Sequence, residues 1–204
     1  MMIVCIEGID ACGKDTQSHL LAERLGCESI RFPDYESPTG ILINQHLHSK
    51  WAAKQNLGGH GDHLIDAMVF QSLMLTNRME AAARIHRYRM EQKNLVLNRY
   101  WPSGVVYGQA DGLNVDWLLQ VHVMLPQAHH YVLIDIPAEV STMRRPERRD
   151  RYEMQPGLME IVASGYLELW SRMHDAHMSA WHMVDGTKKS DQVHEAICDA
   201  IGVD

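Results

Sequence analysis

The sequence predicts an α/β protein of three layers, a five-stranded parallel sheet flanked by helices. Three observations predict it. Short apolar runs alternate with longer segments of helical periodicity from end to end. The runs are close to continuously apolar, the pattern of strands buried on both faces. The chain has 204 residues, 46% of them hydrophobic, enough for one such sheet with a sizeable core. No internal repeat or linker divides it, so one domain over residues 1–204 is expected.

The first strand is expected over Met2–Ile6 and runs into Gly8-Ile9-Asp10-Ala11-Cys12-Gly13-Lys14-Asp15-Thr16, ahead of a helix over Thr16–Leu25. Strand, glycine-rich turn and helix in this order make a phosphate loop. Glycines let successive N–H groups turn inward, the helix adds its positive end, and Lys14 supplies a point charge for the outer phosphates. The residue after such a lysine is usually Ser or Thr, a magnesium ligand; here it is Asp15. Two readings of Asp15 stay open: it holds Mg²⁺, or it points away as a carboxylate favoured by the helix dipole.

The second strand, Ser29–Phe32, leads into Arg31-Phe32-Pro33-Asp34-Tyr35. Helices follow over Thr39–Leu47 and, after a Gly-rich polar loop at Gln55–His63, over a long Leu64–Gln92. The third strand, Leu95–Leu97, delivers Asn98-Arg99-Tyr100, with helices over Ser103–Asp111 and Val115–Met124 behind it. Pro126 and Pro137 bracket the fourth strand, Tyr131–Ile136; helices Ala138–Arg145 and Gly157–His177, strand Trp181–Val184 and helix Asp191–Ile201 complete the chain. Ligands of such sheets sit beyond the carboxyl ends of the strands, which is where the polar clusters fall.

Charge and cysteine usage narrow the function. A net charge of −7 speaks against nucleic-acid binding, which needs a basic footprint. No apolar run is long enough to span a bilayer and no signal peptide is expected. Cys5, Cys12, Cys27 and Cys198 lack metal-ligand spacing and fit reduced thiols in a cytoplasm. Positive charge gathers instead at Arg144, Arg145, Arg148, Arg149 and Arg151. With Pro146 interrupting, this reads as a mobile lid over phosphates at about residues 144–156, against the alternative of a solvated helix face. His60-Gly61-Asp62-His63 lacks the scaffold of a metal site. Cys12 is read either as an activated thiol in an electropositive loop or as a buried inert one.

The set Glu7 to Gln17, Arg31-Phe32-Pro33, Asn77-Arg78-Met79-Glu80, Asn98-Arg99-Tyr100, Ser103-Gly104 and Asp150-Arg151-Tyr152-Glu153 resembles the thymidylate kinase family in content and order. The resemblance implies the P-loop fold of nucleoside monophosphate kinases, transfer of the ATP γ-phosphoryl group to dTMP, Mg²⁺ and a homodimer. It implies that Gly8 to Thr16, with Lys14, hold the ATP phosphates and that Asp185-Gly186-Thr187 flanks adenine. Arg99 matches the family arginine between donor and acceptor phosphates. Asp10 matches the carboxylate near the sugar 3′-hydroxyl, and Arg78 the arginine that reads the thymine edge. Tyr107 matches the aromatic against the deoxyribose, and Tyr152 helps close that pocket. Phe32-Pro33 resembles a family bend that takes a cis peptide, and Tyr35 is placed to donate to the acceptor phosphate. Ser103 and Gly104 belong to the acceptor side, and Glu153 joins Asp15 as a candidate near magnesium. With Ala11 where other members carry a loop arginine, a lid arginine (Arg148, Arg149 or Arg151) supplies the catalytic charge.

Two departures from the family read as linked. Asn98 stands where the family usually has Asp, and Asp15 where it has Ser or Thr, as though the cation's carboxylate had moved from strand to loop. A third, Met74, stands where an aromatic ring commonly stacks on thymine; Phe70 is one turn earlier. The softer methionine opens a wider acceptor range, dUMP and 5-substituted dUMP included. Three other functions stay open: a different nucleotide kinase, a P-loop NTPase switch, and an inactive nucleotide-binding protein.

Overall fold

The computed structural model of the chain describes residues 1–48, 63–145, 157–175 and 180–203. Strands β1 (Ile3–Glu7), β2 (Glu28–Arg31), β3 (Leu95–Asn98), β4 (His130–Asp135) and β5 (Trp181–Asp185) form one sheet in the order β2-β3-β1-β4-β5. Every pairing is parallel. All residues of the central strands β1 and β3 are buried. Successive strand side chains point to opposite faces, so both faces of the sheet are covered.

The cover consists of α1 (Lys14–Leu25), α2 (Pro38–His48), α3 (His63–Glu80), α4 (Ala82–Met90), α5 (Trp101–Ala110), α6 (Val115–His122), α7 (Ala138–Arg144), α8 (Leu158–Asp175) and α9 (Ser190–Ile201). Helix α1 packs with α9, while α5 packs against α3, α6 and α8. Local chemistry sets the ends. Gly26 closes α1 at φ 59°, its N–H turned back to Ala22 and Glu23. Asn114 opens α6 by accepting from the Trp117 N–H at 2.9 Å. Trp101, Tyr131, Trp170 and Trp181 wedge the helices onto the sheet: Tyr131 stacks on Trp181 at 4.4 Å, and Trp170 meets Trp181 edge-on at 4.5 Å.

The expected strands all form, with no end shifted by more than one residue. The one helix expected over Leu64–Gln92 is instead two, broken at Ala81. The Ile85 N–H still bonds the Ala81 carbonyl at 3.0 Å, so the break is local. Beyond it, Arg84 pairs with Glu28 on β2 and Arg89 donates to the Gln127 carbonyl. Helix α4 therefore follows the sheet edge while α3 follows α2 and α5.

The register aligns the functional strand tips. Ile6 of β1 pairs with Asn98 of β3, Asn98 with Arg31 of β2, and Asp135 of β4 with Asp185 of β5. The chain segments that leave these tips meet over the carboxyl edge of the sheet.

Candidate active site

The phosphate loop leaves β1 through Gly8, at φ 147°. A Cβ there would lie 2.6 Å from the Ile134 carbonyl oxygen and 2.7 Å from Cys12 Sγ, so only glycine fits. Ala11 (φ 58°) and Gly13 (φ 102°) complete the curl. Helix α1 then starts at Lys14 with no side-chain cap. Its first N–H groups and its positive end face the loop, the arrangement that binds anions. Lys14 is buried to 5% exposure, its Nζ donating to the Ile9 carbonyl at 3.1 Å and to Asp10 Oδ1 at 3.4 Å. Cys12 is buried against Gly8.

Arg99 leaves β3 in the left-handed region at φ 61°, its N–H held by the Ile6 carbonyl at 2.9 Å. A non-glycine residue rarely sits there, and such strain concentrates at functional positions. One guanidinium nitrogen donates to Asp10 Oδ1 at 2.5 Å; the other reaches Ser103 Oγ and the Tyr166 hydroxyl, each at 3.3 Å. Its carbon lies 5.4 Å from the Tyr107 ring centroid. Burial alone would raise the Asp10 carboxyl pKa, but Arg99 and Lys14 outweigh it and hold it down at about 2. The two cations of the site thus share one carboxylate at the loop's inner edge.

Beneath Arg99 lies a layer built on Glu7, which is fully buried at the end of β1. Glu7 accepts from the Tyr100 N–H at 2.6 Å, from Ser103 Oγ at 2.6 Å and from the Tyr166 hydroxyl at 2.8 Å. The last two are the groups that contact Arg99, so Glu7 orients the arginine through them. Neither Glu7 nor Tyr166 was assigned a role from sequence.

The residues expected on the acceptor side form a second group around α3 and α5. Arg78, 2% exposed, donates from Nε to the Tyr100 carbonyl at 2.9 Å and from Nη1 to the Met74 carbonyl at 3.0 Å. Burial pulls its pKa down to about 10. Gly104 leaves the space here: a Cβ would meet His122 Nε2 at 2.6 Å and Arg78 Nη1 at 3.0 Å. Met74 is half-buried, and Phe70 is fully buried with its ring 4.4 Å from that of His46. Phe32 is buried against Tyr100 at 5.2 Å, the Phe32–Pro33 peptide is cis, and Tyr35 is partly buried.

A protein-family model described as thymidylate kinase matches residues 6–197. The chain belongs to the thymidylate kinase family. The thymidylate kinase of Danio rerio is 29% identical over 203 residues, covering 97% of this chain and 88% of that one. That of Homo sapiens is 29% identical, covering 96% and 87%. Among solved structures, the thymidylate kinase of Candida albicans superposes with a TM-score of 0.79 at 26% identity, covering 98% of this chain and 91% of that one. A deoxyadenosine kinase from M. mycoides with bound dATP shares the fold, with a TM-score of 0.71 at 16% identity over 99% of this chain and all of the other.

Within this thymidylate kinase fold, α7 ties the phosphate loop to the turn after β5. Ser141 Oγ donates to the Asp10 carbonyl at 2.6 Å, and Arg144 reaches the carbonyls of Ala11 at 3.4 Å and Gly186 at 2.9 Å. Asp185-Gly186-Thr187 is a tight turn in which the Thr187 N–H bonds Asp185 Oδ1 at 2.9 Å. The phosphate loop and this turn are therefore neighbours. Asn98 Nδ2 donates to Asp15 Oδ1 at 2.8 Å, so the two departures from the family pattern are in direct contact. Arg148, Arg149, Arg151, Tyr152 and Glu153, with most of the expected lid, lie outside the described residues, as do Gln55 to Asp62.

Proposed function

We infer that this member of the thymidylate kinase family transfers the γ-phosphoryl group of ATP to dTMP, giving dTDP and ADP. The observation that carries the reading is the convergence of Lys14 and Arg99 on Asp10, from two different strand tips. Lys14 and the loop N–H groups hold the donor's phosphates, and Arg99 holds the acceptor's. An oxygen of the acceptor phosphate forms the new P–O bond to the γ-phosphorus as the bond to the β–γ bridging oxygen breaks. That oxygen is already ionised, so no general base is needed. The transition state is loose, and positioning with charge stabilisation does the work. Mg²⁺ brought with the ATP would be held near Asp15 and Glu153 and would neutralise phosphate charge.

The finer assignments rest on the family resemblance. Asp10 orients the sugar hydroxyl, Arg78 reads the base, Tyr107 lies against the deoxyribose with Tyr152 closing that pocket, and Tyr35 donates its hydroxyl to the acceptor phosphate. Asp185-Gly186-Thr187 flanks adenine. A lid arginine from residues 148, 149 and 151 adds charge on closure, and Glu153 lies toward the cation. The chain works as one kinase domain. Exposed Leu64, Met68 and Val69 on α3, with Ile41 and Leu42 on the adjoining α2, support a homodimer. Free thiols at all four cysteines support a cytoplasmic location. No helix among the described residues is long and apolar enough to cross a membrane.

One observation favours a second reading of the acceptor range. Phe70 is committed to the core against His46, so α3 offers Met74 where the family stacks an aromatic ring. On this reading dUMP and 5-substituted dUMP are also phosphorylated. Coupled ADP release across a panel of nucleoside monophosphates tests both. The expected result is Mg²⁺-dependent turnover with dTMP, and a roughly 10²–10³-fold lower kcat in Arg99→Ala. ADP release independent of any acceptor would point to a switch instead, and turnover confined to dTMP would reject the wider range.

A further inference from the structure

Asp15 and Asn98 depart from the family pattern together, and the fold puts them side by side where the donor's phosphates are held. Asp15 is an acceptor only, so the Asn98 amide must turn its nitrogen toward it, and the contact is 2.8 Å. This fixes the amide. Its carbonyl oxygen, on a side chain only 5% exposed, is left buried with no hydrogen-bond partner among the described residues. An orphaned buried acceptor at a strand tip calls for an explanation. Asp15 also meets Arg31 at 3.7 Å, but both side chains are 60% exposed, so that pair is weak and does not lock the carboxylate away.

The geometry points to a charge-swapped cation site: the Asp15 carboxylate and the Asn98 amide oxygen together hold the divalent cation of the bound nucleotide. The donor set suits a hard ion. Magnesium takes oxygen ligands, keeps several waters, and is usually bound by one or two protein groups plus substrate phosphates. A family member with Ser or Thr in the loop and Asp on the strand offers the same two kinds of ligand with the charge on the strand. Here the charge is on the loop, one residue after Lys14, where the N-terminal end of α1 also favours it. The Asn98 amide then does two jobs: its nitrogen holds Asp15 in place and its oxygen faces the cation. The inference rests on the donor-nucleotide reading given above.

Mn²⁺ serves as the probe, with its free concentration followed by electron paramagnetic resonance in the presence of saturating ADP. Asp15→Asn and Asp15→Ser are each expected to weaken Mn²⁺ binding to the ADP complex by about tenfold or more. The double change Asp15→Ser with Asn98→Asp is expected to return it to within about threefold of the parent. Asn98→Asp alone sets two carboxylates face to face, so its metal-free melting temperature falls. In EDTA, where no cation offsets it, loss of the Asp15 carboxylate relieves repulsion with the phosphates, so ADP affinity read by calorimetry rises in Asp15→Asn and Asp15→Ser while their Mn²⁺ binding falls. Should Asp15→Ser fail to fold, the isosteric Asp15→Asn carries the test. Mn²⁺ affinity unchanged in Asp15→Asn, or a double variant no better than Asp15→Ser, overturns the proposal and leaves Asp15 as a helix-terminal carboxylate only. Loss of ADP binding by the parent protein would instead overturn the donor-site reading beneath it.

Discussion

Gly104 leaves room for two side chains of opposite character, the buried Arg78 guanidinium and the imidazole of His122. His122 Nδ1 lies 2.7 Å from the Leu118 carbonyl, an oxygen that only accepts, so this nitrogen carries the proton and Nε2 is a bare lone pair. That atom is buried and has no hydrogen-bond partner among the described residues. Burial first, and the Arg78 charge second, depress the His122 pKa to about 4. The sign follows directly. The unfolded chain takes up the proton near pH 6.5 and the folded chain only near 4, so acid favours unfolding across that window. Below pH 6.5, His122→Asn, which keeps a donor for Leu118, is expected to lose less stability than the parent does. The difference is about 3 kcal/mol by pH 4, read from urea unfolding curves at pH 7 and pH 4. Nothing in the sequence announced this histidine. It stands at the end of an amphipathic helix, and its environment is set by residues 18 and 44 positions away. Asp10 differs: its place inside the glycine loop made it visible beforehand, and the structure adds that Arg99 is the partner. Glu7 falls between, part of a recognisable motif, yet its partner Tyr166 is 159 residues away on a helix with no motif of its own.

At the scale of elements, the sequence was most legible where one force dominates. Strands buried on both faces are written as apolar runs, and all of them form close to where expected. Turn chemistry is equally direct, as at Gly13 in the phosphate loop. The long helix was misread because no Gly or Pro marks Ala81; its two halves simply find different packing partners, a tertiary effect that periodicity cannot carry. Helix α7 shows a further kind of hidden information. It reads as an ordinary short helix, but Ser141, 4% exposed, bonds the phosphate loop's backbone at Asp10. Ser141→Ala leaves that carbonyl without its donor and loosens the loop by about 1 kcal/mol. Steady-state kinetics should then show a roughly fivefold higher KM for ATP, with the KM for dTMP unchanged. An equal rise in both constants would mean that α7 supports the whole fold rather than the donor loop.

For the whole molecule, the parallel sheet matters because it gathers distant segments at one edge. Lys14 follows β1 and Arg99 follows β3, yet both donate to Asp10, and on the proposed function the two nucleotides meet phosphate to phosphate over this carboxylate. That arrangement has a thermodynamic consequence. A single molecule carrying adenosine and thymidine at the two ends of an oligophosphate chain should occupy both halves at once and avoid the second loss of translational freedom. At 100 times its Kd it would stabilise the folded chain by about 2.7 kcal/mol, which for a protein of this size raises the melting temperature by roughly 5–10 °C. At equal concentration, ADP or dTMP alone should give a clearly smaller rise. Arg99→Ala should bring the linked compound down to the level of ADP, because only the donor half remains gripped. Arg78→Ala should do so less completely, since on the proposed reading it removes base recognition but leaves the phosphate clamp. If the linked compound stabilises the parent protein no more than ADP does, Lys14 and Arg99 serve separate cavities and phosphoryl transfer between them has no structural basis.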